Sequence, residues 1–352
     1  MLEHAVKKGR LLYRHRNPAE IPTVAWSPDG RSLATGDTAR CIRVRQADTG
    51  QELLVSRVHT HTITTLAWSP RGTHLASGDL NGVITVWEAL TGRTRYTFHS
   101  SNVTEEEGDY SARVAWSADG RFLACCGYQD YRMNIQLRDA ETGEQLMRWR
   151  AREDVATLRW SPQSTYLASG GRPGVVHLWD PFTGRHLSTY TTPGLTQSGN
   201  PAYVNHIAWS PDGGRIAFGD TLGIVQAWDV VDTRPLAIFS PGRRPIGKIK
   251  PWDPDGIIGV RWLLEEEHLA VACRQVVQVR HATTGRRLVT YQDPFVGEEG
   301  YILIQVAWSP DRRRMVSVGG YSVVNTPERV VYEGCVYVWE VEDEFSPERL
   351  IT

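Results

Sequence analysis

Residues able to do chemistry are thinly spread along this chain, and their spacing excludes most of what they could do together. His59-Thr60-His61 offers two imidazoles to a metal, but a structural or catalytic zinc site needs a third ligand nearby and none is present. Asp253-Pro254-Asp255-Gly256 carries part of a calcium-loop pattern, yet it lacks the spaced oxygen ligands and the closing glutamate, so turn chemistry fits it better. No glycine-rich phosphate cradle followed by lysine and no GxSxG elbow occurs. Groups from distant segments could still converge, such as His206 with Asp253 or Glu298, but no reaction can be named for them. No metal, cofactor or catalytic residue is therefore expected.

Composition narrows the remaining classes. Of 352 residues, 39 are Lys or Arg and 40 are Asp or Glu, a formal charge of −1 that supplies no global field for nucleic acid or an anionic membrane. Five cysteines, Cys41, Cys125, Cys126, Cys273 and Cys335, fall on predicted strands without a CxxC pair, the pattern of buried free thiols in a reducing compartment. The first residues lack the apolar core of a signal peptide and no run reaches the length of a membrane span, so a cytoplasmic protein is expected. Asn102-Val103-Thr104 fits a glycosylation sequon but reads as a polar loop triplet in that setting.

What must position any functional group is a repeat. A tryptophan on a β-patterned run, a polar turn and a second β-run recur from Val24 (VAWSPDGRSLATGD), Leu66, Val114, Leu158, Ile207, Val260 and Val306. In the second repeat four runs are clearest: TTLAWSP, HLASGD, VITVWEA and TRYTFH. The turn after the first run is usually Ser-Pro-Asp-Gly and the turn after the third is usually Thr-Gly, both suited to tight reversals. Strands apolar on both faces belong to sheets packed between neighbouring sheets. Repeats run nearly end to end without a linker, so residues 1–352 are expected to form one domain.

The pattern resembles the WD-repeat β-propeller family over nearly the whole chain. The signature dipeptide closing the third strand stands as Trp179-Asp180 and Trp228-Asp229, weakened to Trp87-Glu88 and Trp339-Glu340, and Arg45, Arg138 and Arg280 hold the tryptophan position elsewhere. The resemblance implies an all-β, seven-bladed propeller of four-stranded antiparallel blades. It also implies a turn histidine, matched only by His59, and an aspartate six residues before the third-strand tryptophan, where Asn81, Pro173 and Leu222 stand instead. The family's hydrogen-bond network is therefore expected to be largely absent, with other contacts fixing the blades. No fourth strand follows VYVWEVED, while residues 9–15 look like a fourth strand, so these are expected to complete the seventh blade and close the ring.

Spacing locates the elaborations. Four repeats keep 19 residues from first-strand tryptophan to third-strand marker, while the third and seventh stretch to 22 and 31. Four connections after the fourth strand are also long. In an up-and-down meander, the connections from second to third strand and from fourth to next first strand emerge on one face. All these insertions thus share a face, and the opposite face keeps minimal turns. Loops on a rigid scaffold concentrate binding residues.

The elaborated face carries Tyr110, Tyr131, Tyr203, Arg243, Arg244, Trp252, Phe295, Tyr301 and Tyr321, with Lys248 and Lys250 set against Glu105 to Glu107, Glu298 and Glu299. Aromatic and arginine side chains are the usual chemistry of protein and peptide recognition. Arg312-Arg313-Arg314 falls on the other face, so the two basic clusters cannot form one phosphate-tracking stripe, and no nucleic-acid partner is expected. The expected role is a non-catalytic scaffold or recognition module that binds a protein or peptide there. The alternative is a propeller enzyme or small-molecule sensor using the central channel.

Overall fold

The computed structural model describes residues 6–8, 10–102, 111–130, 132–191, 202–241, 256–263, 267–273, 276–292, 301–311, 313–326 and 329–340. Seven antiparallel sheets form from the seven repeats, each with its strands in meander order. Blade two is representative: Ile63–Trp68, His74–Asp79, Val83–Glu88 and Thr94–His99 follow one another from the channel outward. Its second strand is buried along almost its full length, whereas its outer strand alternates between exposed and half-buried positions. The apolar clusters explain this, because each joins two adjacent blades. Ala34 and Val44 of blade one pack with Leu66, Trp68 and Trp87 of blade two, and Val316 and Val338 of blade seven pack with Val24 and Trp26 of blade one. Every blade completes its neighbour's core, as expected for a closed array.

Ring closure occurs where residues 9–15 suggested it would. Arg10–Asn17 lies antiparallel to Arg329–Glu340, with Leu11 opposite Trp339 and Asn17 opposite Gly334. One further pairing had no sequence signal. Val6–Lys8 runs parallel to Arg287–Gln292 of blade six, so the N-terminal segment touches the outer edges of two adjacent blades.

The first-strand tryptophans tie each blade to the one before. Trp68 donates its indole N–H to the carbonyl of Ala25, Trp116 to Ala67, Trp160 to Ala115, Trp209 to Arg159 and Trp262 to Ala208, at 2.9–3.3 Å. Trp26 bonds Ala307 at 3.1 Å in the same way, so the junction between last and first blades is chemically like the others. This role accounts for the tryptophan in six of the seven repeats: the ring fills the space between blades while the N–H satisfies an inner-strand carbonyl.

The third strands are anchored by more than one network, and one expectation is corrected. Blade two has the complete set. His59 Nδ1 is 3.1 Å from Asp79 Oδ2, His59 Nε2 is 2.7 Å from Ser77 Oγ, and Trp87 donates to that hydroxyl at 3.1 Å. The aspartate stands eight residues before the tryptophan rather than six. It must precede the turn because its other oxygen accepts the N–H groups of Asn81 and Val83, closing the turn ahead of it. The same offset places Asp37 in blade one and Asp220 in blade five. Asp37 accepts from Cys41 N and Asn17 Nδ2, and Asn17 occupies the position that His59 holds in blade two.

In blades three and six, where arginine replaces the tryptophan, glutamine replaces the serine's function, whereas Arg45 of blade one bonds Thr35 and contacts His15. Arg138 and Arg280 each bond a glutamine two residues back, Gln136 or Gln278, and the carbonyl of the following Thr-Gly turn, Gly143 or Gly285. Each guanidinium also lies over an aromatic ring of the preceding blade's outer strand, Phe98 at 3.8 Å and Phe239 at 4.9 Å. Gly143 has φ of 78°, and a Cβ there would meet the Tyr96 ring at 2.7 Å, so both backbone and space require glycine.

Candidate functional site

Described residues that flank two of the long connections are bonded to second-to-third-strand hairpins. Asn102, which follows the outer strand of blade two, exchanges side-chain bonds with Asp130 at the hairpin tip of blade three: Nδ2 to Oδ1 at 3.0 Å, and Asp130 N to Asn102 Oδ1 at 2.9 Å. Tyr203, which precedes the inner strand of blade five, accepts from Thr221 N in that blade's second hairpin and takes a 3.1 Å bond to Thr221 Oγ1. Both kinds of connection therefore share a face.

Two of the insertions are extended hairpins rather than irregular loops. In blade three the strands Phe122–Gln129 and Arg132–Asp139 stay paired to Gln129 opposite Arg132. In blade seven Arg314–Thr326 and Arg329–Glu340, of 13 and 12 residues, stay paired to Thr326 opposite Arg329. At a rise of about 3.3 Å per residue, the latter ribbon outreaches an ordinary five- or six-residue blade strand by roughly 20 Å.

Tyr203 is half-buried, with the Arg172 guanidinium 4.6 Å from its ring centre, so part of its surface is already covered from blade four. Tyr301 and Tyr321 are register partners at the start of the blade-seven ribbon. Tyr110, Tyr131, Arg243, Arg244, Trp252 and Phe295 lie outside the described residues, as do Lys248, Lys250, Asp253 and the two acidic runs.

The opposite face is occupied by turn chemistry. Ser27 Oγ accepts from Ser32 N and donates to Asp29, the same arrangement recurring at Ser117 and Ser210. Arg314, from the second basic cluster, pairs with Asp48, donates to the Gly30 carbonyl at 2.9 Å and covers Trp26. It clamps blade seven to blade one rather than presenting a free cation.

A channel of about 840 Å³ runs between the seven inner strands, and sequence reasoning missed the arginines in its lining. One residue before each inner tryptophan stand Ala25, Ala67, Ala115, Arg159, Ala208, Arg261 and Ala307, and three before it stand Thr23, Thr65, Arg113, Thr157, His206, Gly259 and Gln305. Arg113, Arg159, His206 and Arg261 thus come from consecutive blades three to six. The period-two alternation of the inner strand, which aims every second residue at the axis, would have found them.

Their bonds go to backbone carbonyls. Arg113 reaches Ala156 and Ala112, Arg159 reaches Leu158, and Arg261 reaches Trp308 across the next junction. Among the described lining residues there is no Asp or Glu. Burial, with a smaller contribution from the Arg159 charge, pushes His206 down to about 3, which leaves it neutral at physiological pH. Elsewhere, Asp220 has no histidine partner among the described residues, and burial raises it to about 6 even though it accepts the N–H groups of Leu222 and Ile224. All five cysteines are buried and free, and burial lifts Cys125 and Cys126 to about 12, so neither is a reactive thiolate. No cluster of three metal-binding side chains occurs among the described residues.

The family model described as WD domain, G-beta repeat matches residues 7–45, 50–88, 143–180 and 191–229. The first match spans the closing strand and then three strands of blade one, so the sequence repeat is offset by one strand from the structural blade. The unmatched third and sixth repeats are those built on Arg138 and Arg280, and the unmatched seventh carries the long ribbon. A search of curated proteins returns no match. With four repeats recognised by that model and seven four-stranded blades closed into a ring by the N-terminal strand, the chain belongs to the WD-repeat β-propeller family.

Proposed function

We propose that this propeller is a non-catalytic scaffold that binds a protein or an extended peptide on its elaborated face. WD40 propellers generally serve as protein-interaction scaffolds. The observation carrying the finer reading is the asymmetry between faces: one carries tight turns and the Arg314 clamp, while the other carries the paired blade-three hairpin and blade-seven ribbon. On a rigid ring, such projections add contact area without disturbing the core. Tyr203, Trp252 and Tyr301 are the proposed anchors, and Arg243, Arg244 and the glutamate runs select a charge-complementary partner.

The test is affinity capture from native lysate with intact protein, a variant carrying alanine at Tyr203, Trp252 and Tyr301, and Arg313→Ala on the turn face. A partner retained by intact protein and Arg313→Ala but lost by the triple variant supports the face. Equal retention by a folded triple variant, or loss with Arg313→Ala alone, rejects it.

A further inference from the structure

The channel arginines have no part in the face-binding reading, and they are costly to keep. Five of the seven blades place alanine one residue before the inner tryptophan, which suffices for the fold, yet blades four and six place Arg159 and Arg261 there, with Arg113 two residues lower on blade three. Gathering guanidinium groups around one cavity brings like charges together in a space walled by protein, where screening by salt is weak. The described lining residues supply no carboxylate to offset them. Among the described residues, the only protein hydrogen bond of the Arg159 guanidinium goes to the Leu158 carbonyl, which leaves most of its N–H groups directed to the channel, where the side chain is exposed. Arg113 spends Nε and Nη1 on carbonyls and retains Nη2. Beside them, Thr157, Asn205, His206 and Gln305 add neutral polar groups.

We propose that the central channel binds a small oxyanion-bearing ligand, phosphate or polycarboxylate in class, held chiefly by Arg113 and Arg159 with Arg261 contributing charge. Guanidinium groups match the planar, multi-acceptor geometry of such anions, and bonds between ionised partners are stronger than neutral ones. The cavity, at about 840 Å³, is large enough for a metabolite-sized ligand.

Titration calorimetry on the full chain at constant ionic strength, with sodium pyrophosphate and sodium citrate as separate probes and sodium chloride as reference, tests this. Saturable binding of pyrophosphate, citrate or both is expected, the stronger of the two naming the phosphate or carboxylate class. Arg159→Ala should weaken it by at least about tenfold, the loss of one charge-assisted contact. Ala208→Glu, which sets a carboxylate between Arg159 and Arg261 while keeping the backbone carbonyl that Trp262 uses, should abolish it with little change in melting temperature. Bound anion should also raise the pKa of His206, followed by proton NMR of its imidazole. Absence of saturable binding by the wild type, or equal affinity in a folded Ala208→Glu variant, overturns the site. Neither result bears on the elaborated face, whose proposed anchors Tyr203 and Tyr301 are not among the described lining residues.

Discussion

At the scale of single residues, conserved geometry is filled by different chemistry in different blades. Asp79 is paired with His59, and Asp37 is bonded by Asn17 and Arg43, but among the described residues Asp220 accepts only the N–H groups of Leu222 and Ile224. Because the folded pKa of Asp220 is raised to about 6, its stabilising contribution is present below the unfolded value near 4 and is lost as pH rises through about 6. Asp220→Asn keeps the acceptor oxygen and removes the buried charge. It should stabilise the protein by about 1–3 kcal/mol at pH 7, with the gain vanishing below about pH 4, in urea melts across that range. The inner tryptophans allow a second test. Trp160→Phe keeps an aromatic ring but leaves the Ala115 carbonyl without its donor, and should cost about 1–2 kcal/mol or more in the same assay.

At the scale of elements, strands and turns were legible because each repeat displays them in order and the Ser-Pro-Asp-Gly and Thr-Gly turns punctuate them. The closing strand was legible for the same reason, since residues 9–15 look like the other fourth strands. Partnerships across blades were not: the Gln136–Arg138–Phe98 arrangement joins residues of two repeats, and only the folded ring shows that an arginine can take a tryptophan's place. The aspartate network was misjudged by a two-residue offset, because the carboxylate has to lie before the turn whose N–H groups it caps. The inner arginines are marked in sequence only by alternation within the shortest, most regular strand, a weaker signal than the length of the loops.

Closure gives a prediction at this scale. Deleting residues 1–17 exposes the edge of Arg329–Glu340 and removes the Asn17 bond to Asp37, and should produce self-association in sedimentation together with loss of a single cooperative melt. Deleting residues 1–8 removes only the short parallel pairing on blade six and should leave a monomeric, cooperatively melting protein.

At the scale of the whole molecule, three surfaces divide the work. The turn face carries capping bonds and an interblade clamp, the channel lining gathers positive charge, and the remaining face carries the projecting ribbon. A rigid ring permits this division because every blade is fixed by two neighbours, so additions on one face need not disturb the core. The central claim is that the elaborated face holds the partner. Its most direct test is hydrogen exchange of the full chain, alone and in complex with the captured protein. Protection confined to the blade-three hairpin, the blade-seven ribbon and the connections around Tyr203 and Trp252 is the predicted result, and protection confined to the Ser-Pro-Asp-Gly and Thr-Gly turns would contradict it.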